Sequence, residues 1–120
     1  MGFEERAVAF LRKIEVRDVA EARQYLAADA RFVFPRGAEF ADLDACLADR
    51  HTRYQRAHKN IERVDVLSTG PEAAVVYVVG TLEGSRLDGT SFSGVRFIDR
   101  FTFKDGAIVL QEVWNDLTFV

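Results

Sequence analysis

In the run Ser93-Gly94-Val95-Arg96-Phe97-Ile98-Asp99-Arg100-Phe101-Thr102-Phe103 a single acid stands among aromatics. Read as a strand, alternation places Val95, Phe97, Asp99, Phe101 and Phe103 on one face and Arg96, Ile98, Arg100 and Thr102 on the other. Taking a carboxylate out of water disfavours its charged form, so an unpaired Asp99 on the apolar face is held as the neutral acid. That is the state from which acid/base catalysis near neutrality works. The alternative is a structural carboxylate, hydrogen-bonded to Tyr54 or His51, paired with an arginine, or turned outward by a bulge.

Leu43, Leu47, His51, Tyr54 and His58 follow one another at helical spacing. His51 and Tyr54 then lie one turn apart on an inward helix face and can share a cavity with Asp99, although a helix-face His or Tyr also serves as a hydrogen-bonded core residue. Arg53, Arg56 and Lys59 fall on the far side of that helix and read as its solvated face. On the last strand Glu112, Trp114 and Asp116 share one face and Gln111, Val113 and Asn115 the other. The pattern does not say which face turns inward. Asp116 is a further candidate acid, and Trp114 is a core, pairing or ligand-platform residue. With Cys46 as the lone cysteine and only two histidines, there is no zinc-type ligand set, and the chemistry needs no metal or cofactor.

The elements that must position these groups are legible in the periodicity. Phe3, Ala7, Phe10, Leu11 and Ile14 form one helical stripe. Asp18 and Glu21 have the form of a capping box for a second helix over Val19, Ala22 and Leu26, ending near Asp29. Arg31 to Phe34 predicts a short strand stopped by Pro35-Arg36-Gly37, and the third helix starts near Ala41 or Asp42. Strands are expected over Ile61–Ser68, Ala73–Glu83, Phe92–Phe103 and Ile108–Leu117, the last two joined by a tight turn at Lys104-Asp105-Gly106-Ala107.

Helices followed by a strand meander exclude a parallel α/β layer. The expected fold is α+β: three N-terminal helices packed on a strongly curved, mainly antiparallel sheet that forms a cone with an apolar pocket. Phe10, Phe34, Leu47, Val95, Phe97, Phe101 and Trp114 are the expected pocket lining, and a small apolar molecule the expected occupant. The outer sheet face, with Ile98 between arginines, is suited to a homodimer.

At 120 residues the chain is expected to be a single domain over 1–120. Hydrophobic residues at 48% and charged residues at 29% exclude disorder and a membrane span. With 16 Lys and Arg against 19 Asp and Glu, the net charge of −3 offers no cationic face to nucleic acid. Met1-Gly2-Phe3-Glu4-Glu5-Arg6 lacks the basic start of a signal peptide and the Ser or Thr of a myristoylation pattern, so a cytoplasmic location is expected.

Phe34-Pro35, the run Phe97 to Phe103, Asp105-Gly106-Ala107-Ile108 and Glu112-Val113-Trp114-Asn115-Asp116, in that order, resemble the SnoaL-like and nuclear transport factor 2-like (NTF2-like) superfamily over essentially the whole chain. The resemblance implies a cystatin-like α+β cone and says little of the reaction. Ile98-Asp99-Arg100-Phe101-Thr102-Phe103 is most similar to a strand of the ketosteroid isomerases, in which an aspartic acid donates to the substrate's developing oxyanion; Asp99 matches that residue. That family's general base falls at or beside Phe34 and its oxyanion tyrosine at or beside Phe10. Both are phenylalanine here, so the likeness does not extend to steroid isomerisation. Other branches that the fold resembles are polyketide cyclases, small dehydratases and epoxide hydrolases, with acids and bases on the late strands and third helix. Asp99, Asp116 and His51 are the positions such a site would use.

The functional expectation is a cofactor-independent isomerase, cyclase, dehydratase or hydrolase acting on a small apolar carbonyl-containing or hydroxylated molecule. Asp99 would be its acid/base or oxyanion donor, positioned by His51 and Tyr54. The alternative is a non-catalytic module that shelters a hydrophobic ligand, which Phe10 and Phe34 favour by drying the pocket, or a dimeric scaffold.

Overall fold

Acids in the first turn and bases in the last complement the dipole of helix α1 (Phe3–Glu15), whose Ala7, Phe10, Leu11 and Ile14 are buried. The structure, a computed structural model, describes residues 1–51 and 54–117, with the side chains of Arg50, His51 and Tyr54 outside that description. After α1 come α2 (Val19–Arg23), capped where Asp18 accepts from the Glu21 N–H at 3.2 Å, and strand β1 (Leu26–Phe34). A 3₁₀ turn at Pro35–Gly37 leads into β2 (Ala38–Phe40), α3 (Leu43–His51), β3 (Tyr54–Gly70), β4 (Ala73–Arg86), β5 (Ser91–Lys104) and β6 (Ala107–Asn115). The described strands form one six-stranded sheet in the order β2-β1-β6-β5-β4-β3, antiparallel except where β1 runs parallel to β6. None of the described helices is long and apolar enough to cross a membrane.

Two expected helix ends move, and strand boundaries move with them. The second helix does not reach Asp29: it ends at Arg23, and Leu26 to Ala30 lie in β1, where Leu26 pairs with Ile108 and the Tyr25 carbonyl accepts from the Ile108 N–H at 2.8 Å. The third helix stops at His51, so Tyr54, Ala57 and His58 belong to β3 and pair with Arg86, Gly84 and Glu83. In both places the residues also satisfy a helical stripe, but cross-strand pairing overrides the local pattern. The strand expected over Ile61–Ser68 therefore begins seven residues earlier, at Tyr54, and β4 continues past Glu83 to Arg86.

The β3–β4 ladder carries register shifts at Tyr54/Arg56, Ile61/Arg63 and Ser68/Gly70, each a place where the strand bends and twists more strongly. Glycines on β4 make room for that bend. A Cβ on Gly80 would lie 1.9 Å from the Asn60 carbonyl oxygen, and one on Gly84 would lie 2.0 Å from that of Arg56. The sheet thus curls around α1 as a cone. Phe10 meets Phe101 edge-on at 5.9 Å and Phe3 meets Phe103 at 5.1 Å, seating α1 across β5.

β3 stands at one end of the strand order, so its outer row of peptide groups lacks a strand partner. The end of α1 supplies substitutes. Glu15 Oε1 accepts from the Lys59 N–H at 2.7 Å, Arg12 donates to the Lys59 carbonyl at 2.8 Å, and Arg17 donates to that of Gln55 at 2.7 Å.

Candidate functional site

β5 alternates as its sequence implies: Val95, Phe97, Asp99, Phe101 and Phe103 are buried on the concave face, while Arg96 and Ile98 are exposed on the convex one. Asp99 is 0% exposed. It is not alone there. The Lys59 ammonium reaches across the face to Asp99 Oδ2 and lies 4.8 Å from the centre of the Phe97 ring. In the ladder Lys59 stands opposite Leu82, whereas Asp99 stands opposite Val78. Between Leu82 and Val78 on β4 comes Gly80, which places no side chain on the path of the lysine.

This corrects the reading of Lys59 as part of a solvated helix face. It sits on β3, its side chain is only 15% exposed, and it lies among the residues that line a cavity. The sequence left open a structural pairing of Asp99 with an arginine, and the structure places a lysine against it instead. The signal for Lys59 was present as the alternation Ala57, Lys59, Ile61, but it is visible only once this segment is known to be a strand.

The cavity has a volume of about 240 Å³ and opens between α1, α3 and the concave sheet. Phe10, Phe34, Phe40, Leu43, Leu47 and Val113 form much of its apolar wall. Its polar lining comes from Glu15, Asp49, Lys59, Arg86, Gln111 and Asn115. The face of β6 that the sequence left open is therefore Gln111, Val113 and Asn115. Gln111 is 5% exposed, stands opposite Phe101 and so diagonally beside Asp99 on the same face. Its side-chain amide makes no hydrogen bond to another described residue and is turned to the cavity.

Of the expected lining, Phe10, Phe34 and Leu47 border the cavity. Val95, Phe97 and Phe101 are each at most 1% exposed within the packed core and do not. Trp114 is on the convex face, 47% exposed, with the Arg100 guanidinium 5.1 Å from its ring. Asp116 also lies away from the cavity and accepts from Arg96 at 2.6 Å. Asp99 itself is behind the lining rather than part of it. His51 ends α3 and Tyr54 opens β3, so they do not share one helix, and their side chains lie outside the described residues.

On the convex face Glu112 accepts twice from Arg100, at 2.8 and 2.7 Å. Hydrogen bonding to Glu112, then to Tyr77, holds the Arg100 guanidinium above its ordinary value against desolvation. Around Glu15 a second charged cluster forms: its Oε2 lies 3.1 Å from His58 Nδ1, and its Oε1 accepts from Arg12 at 2.9 Å. Its carboxylate is engaged by β3 and α1, whereas Lys59 and Gln111, both well buried, keep N–H donors with no hydrogen-bond partner among the described residues.

The family model of the SnoaL-like domain matches residues 7–111. The fold is similar to an NTF2-like protein of unknown function from Burkholderia pseudomallei, with 21% identity over 96% of this chain and 91% of that one, at a TM-score of 0.78. It is similar to TerC, in a structure co-crystallized with polyporic acid, at 21% identity, 96% and 92% coverage and a TM-score of 0.77. A ketosteroid isomerase-like protein from Erwinia carotovora atroseptica matches at 16% identity, 94% and 92% coverage and a TM-score of 0.72. No curated protein matches the chain.

Proposed function

This chain belongs to the SnoaL-like domain family, and from that premise we propose that it receives one small, mostly apolar molecule in the cavity between α1, α3 and the sheet. The observation that carries the reading is the composition of the wall. Aromatic and aliphatic side chains make most of it, while a charge-paired Lys59 and a Gln111 amide without a described partner interrupt it at depth. An apolar enclosure with a few fixed polar groups is the usual form of a small-molecule site, the first supplying affinity and the second orientation. The similar fold of TerC, co-crystallized with polyporic acid, supports the same reading. Native mass spectrometry of the purified protein tests it: a bound small molecule, lost when Leu47→Trp fills the cavity, is the expected result. Loss of no mass, together with no binding of any apolar probe, sinks it.

A catalytic extension is favoured by one contact. Asp99 touches Lys59, and Lys59 lines the cavity. In an isomerase, cyclase, dehydratase or hydrolase working without a cofactor, Asp99 would therefore act through Lys59, setting the position of its ammonium. Asp99→Asn would then lower turnover of any accepted substrate, and unchanged turnover would exclude the role. On the convex face, Ile98 at 40% exposure and Trp114, framed by the Arg100–Glu112 and Arg96–Asp116 pairs, support pairing of two copies through that surface.

A further inference from the structure

The deep wall of the cavity offers a ligand donors in a charge-neutral setting. Lys59 carries three N–H donors and no acceptor; one is given to Asp99, and the others have no hydrogen-bond partner among the described residues. Gln111 can present its NH₂ from the neighbouring position on the same face. The ammonium is already matched by the carboxylate behind it, and the lining adds the carboxylates of Glu15 and Asp49 against the guanidinium of Arg86. A ligand anion at this wall would meet those carboxylates in a medium that screens poorly, whereas a neutral oxygen meets only the N–H groups.

We infer that Lys59 and Gln111 together receive the carbonyl oxygen of a neutral ligand, a ketone, and discriminate against the corresponding carboxylate. The inference rests on the cavity being a ligand site and adds to it the class of ligand and the two residues that select it. A carbonyl oxygen has two lone pairs and no proton of its own to satisfy, so it fits a wall that supplies N–H donors. Asp99 is then a positioning residue: it holds the ammonium at the depth where the oxygen arrives. If charge builds on that oxygen during a reaction, the same donors stabilise it more strongly than the neutral carbonyl.

The test uses three probes of one shape on the intact protein: 2-acetylnaphthalene, 2-ethylnaphthalene and 2-naphthoate, titrated by calorimetry. The ketone should bind tightest, the hydrocarbon more weakly by roughly tenfold, the size of one or two well-made hydrogen bonds, and the carboxylate weakest. Gln111→Leu should lower affinity for the ketone without lowering that for the hydrocarbon. Because Lys59→Met takes a charge partner away from a buried carboxylate, Lys59→Met/Asp99→Asn is the safer variant, and it should abolish the preference. The ¹³C resonance of a labelled ketone carbonyl should move downfield on binding and move less in each variant, a change that altered packing alone would not produce. Equal binding of ketone and hydrocarbon, or tighter binding of the carboxylate, overturns the inference and leaves the cavity as a ligand site. Binding of none of the three overturns both.

Discussion

The ammonium of Lys59 on β3 and the carboxylate of Asp99 on β5 meet on the concave face of the sheet with β4 between them. Neither residue identifies the other in sequence, because their contact depends on the bend of β3 and on the bare backbone at Gly80. The pair converts a costly buried charge into a neutral unit, and the consequences for stability are asymmetric.

Lys59→Met should destabilise the fold by about 3–5 kcal/mol, since it leaves a carboxylate that is 0% exposed without this partner. Asp99→Asn should cost less, because Lys59 retains a route to water along the cavity. The double replacement Lys59→Met/Asp99→Asn should recover much of the loss. Urea unfolding of the three variants measures this, and strict additivity of the single changes would show that the pair is not coupled.

Gly80→Ala should be more damaging than Gly94→Ala. A Cβ at Gly80 would run into the backbone of Asn60 at 1.9 Å, so β3 must move away and lose its register. At Gly94 nothing lies within 4 Å, and only the left-handed conformation at φ +67° is strained, at a cost of about 1–2 kcal/mol. Thermal unfolding followed by circular dichroism ranks the two.

Glu15→Ala should expose the open edge of β3. The Lys59 amide would lose the carboxylate it donates to, and His58 and Arg12 would lose the same partner. Amide exchange at Lys59 should then quicken by more than tenfold, while exchange at Val78, in the centre of β4, stays slow.

Thr90 donates to Asp88 from both its hydroxyl and its backbone N–H, at 2.7 and 2.9 Å, and these bonds hold the Asp88 carboxyl below its ordinary value. The stabilisation is therefore present above the unfolded-state value and disappears as pH falls through the folded one. NMR titration should show Asp88 protonating below an exposed aspartate, and Thr90→Ala should raise its midpoint. An unchanged midpoint would remove the hydroxyl as the cause.

If the convex face pairs two copies, Ile98→Glu should give a monomer by light scattering while the melting of each domain is preserved. A wild-type protein that is strictly monomeric at high concentration would remove the pairing proposal.

Alternation alone was enough to put Asp99 on the inner face of β5, and the stripe of α1 was enough to send Phe10 inward, because both follow from the fixed periods of strand and helix. The capping residue Asp18 and the Asp105-Gly106 turn were likewise local facts that local chemistry determines. What periodicity could not decide was the state of residues 54–59, where a helical reading turns Lys59 outward and an alternating strand turns Ala57 and Lys59 inward. That choice belongs to β4, whose Leu82, Gly84 and Arg86 supply the pairing, and with it goes the side on which Lys59 stands. The inward face of β6 was undecided for a similar reason, since polar and apolar residues occur on both of its sides until β1 and β5 hold it in register. Residue types and their periods thus determined the cone and its greasy interior; the long-range pairing of strands decided that a lysine answers the buried acid and that a glutamine faces the hollow.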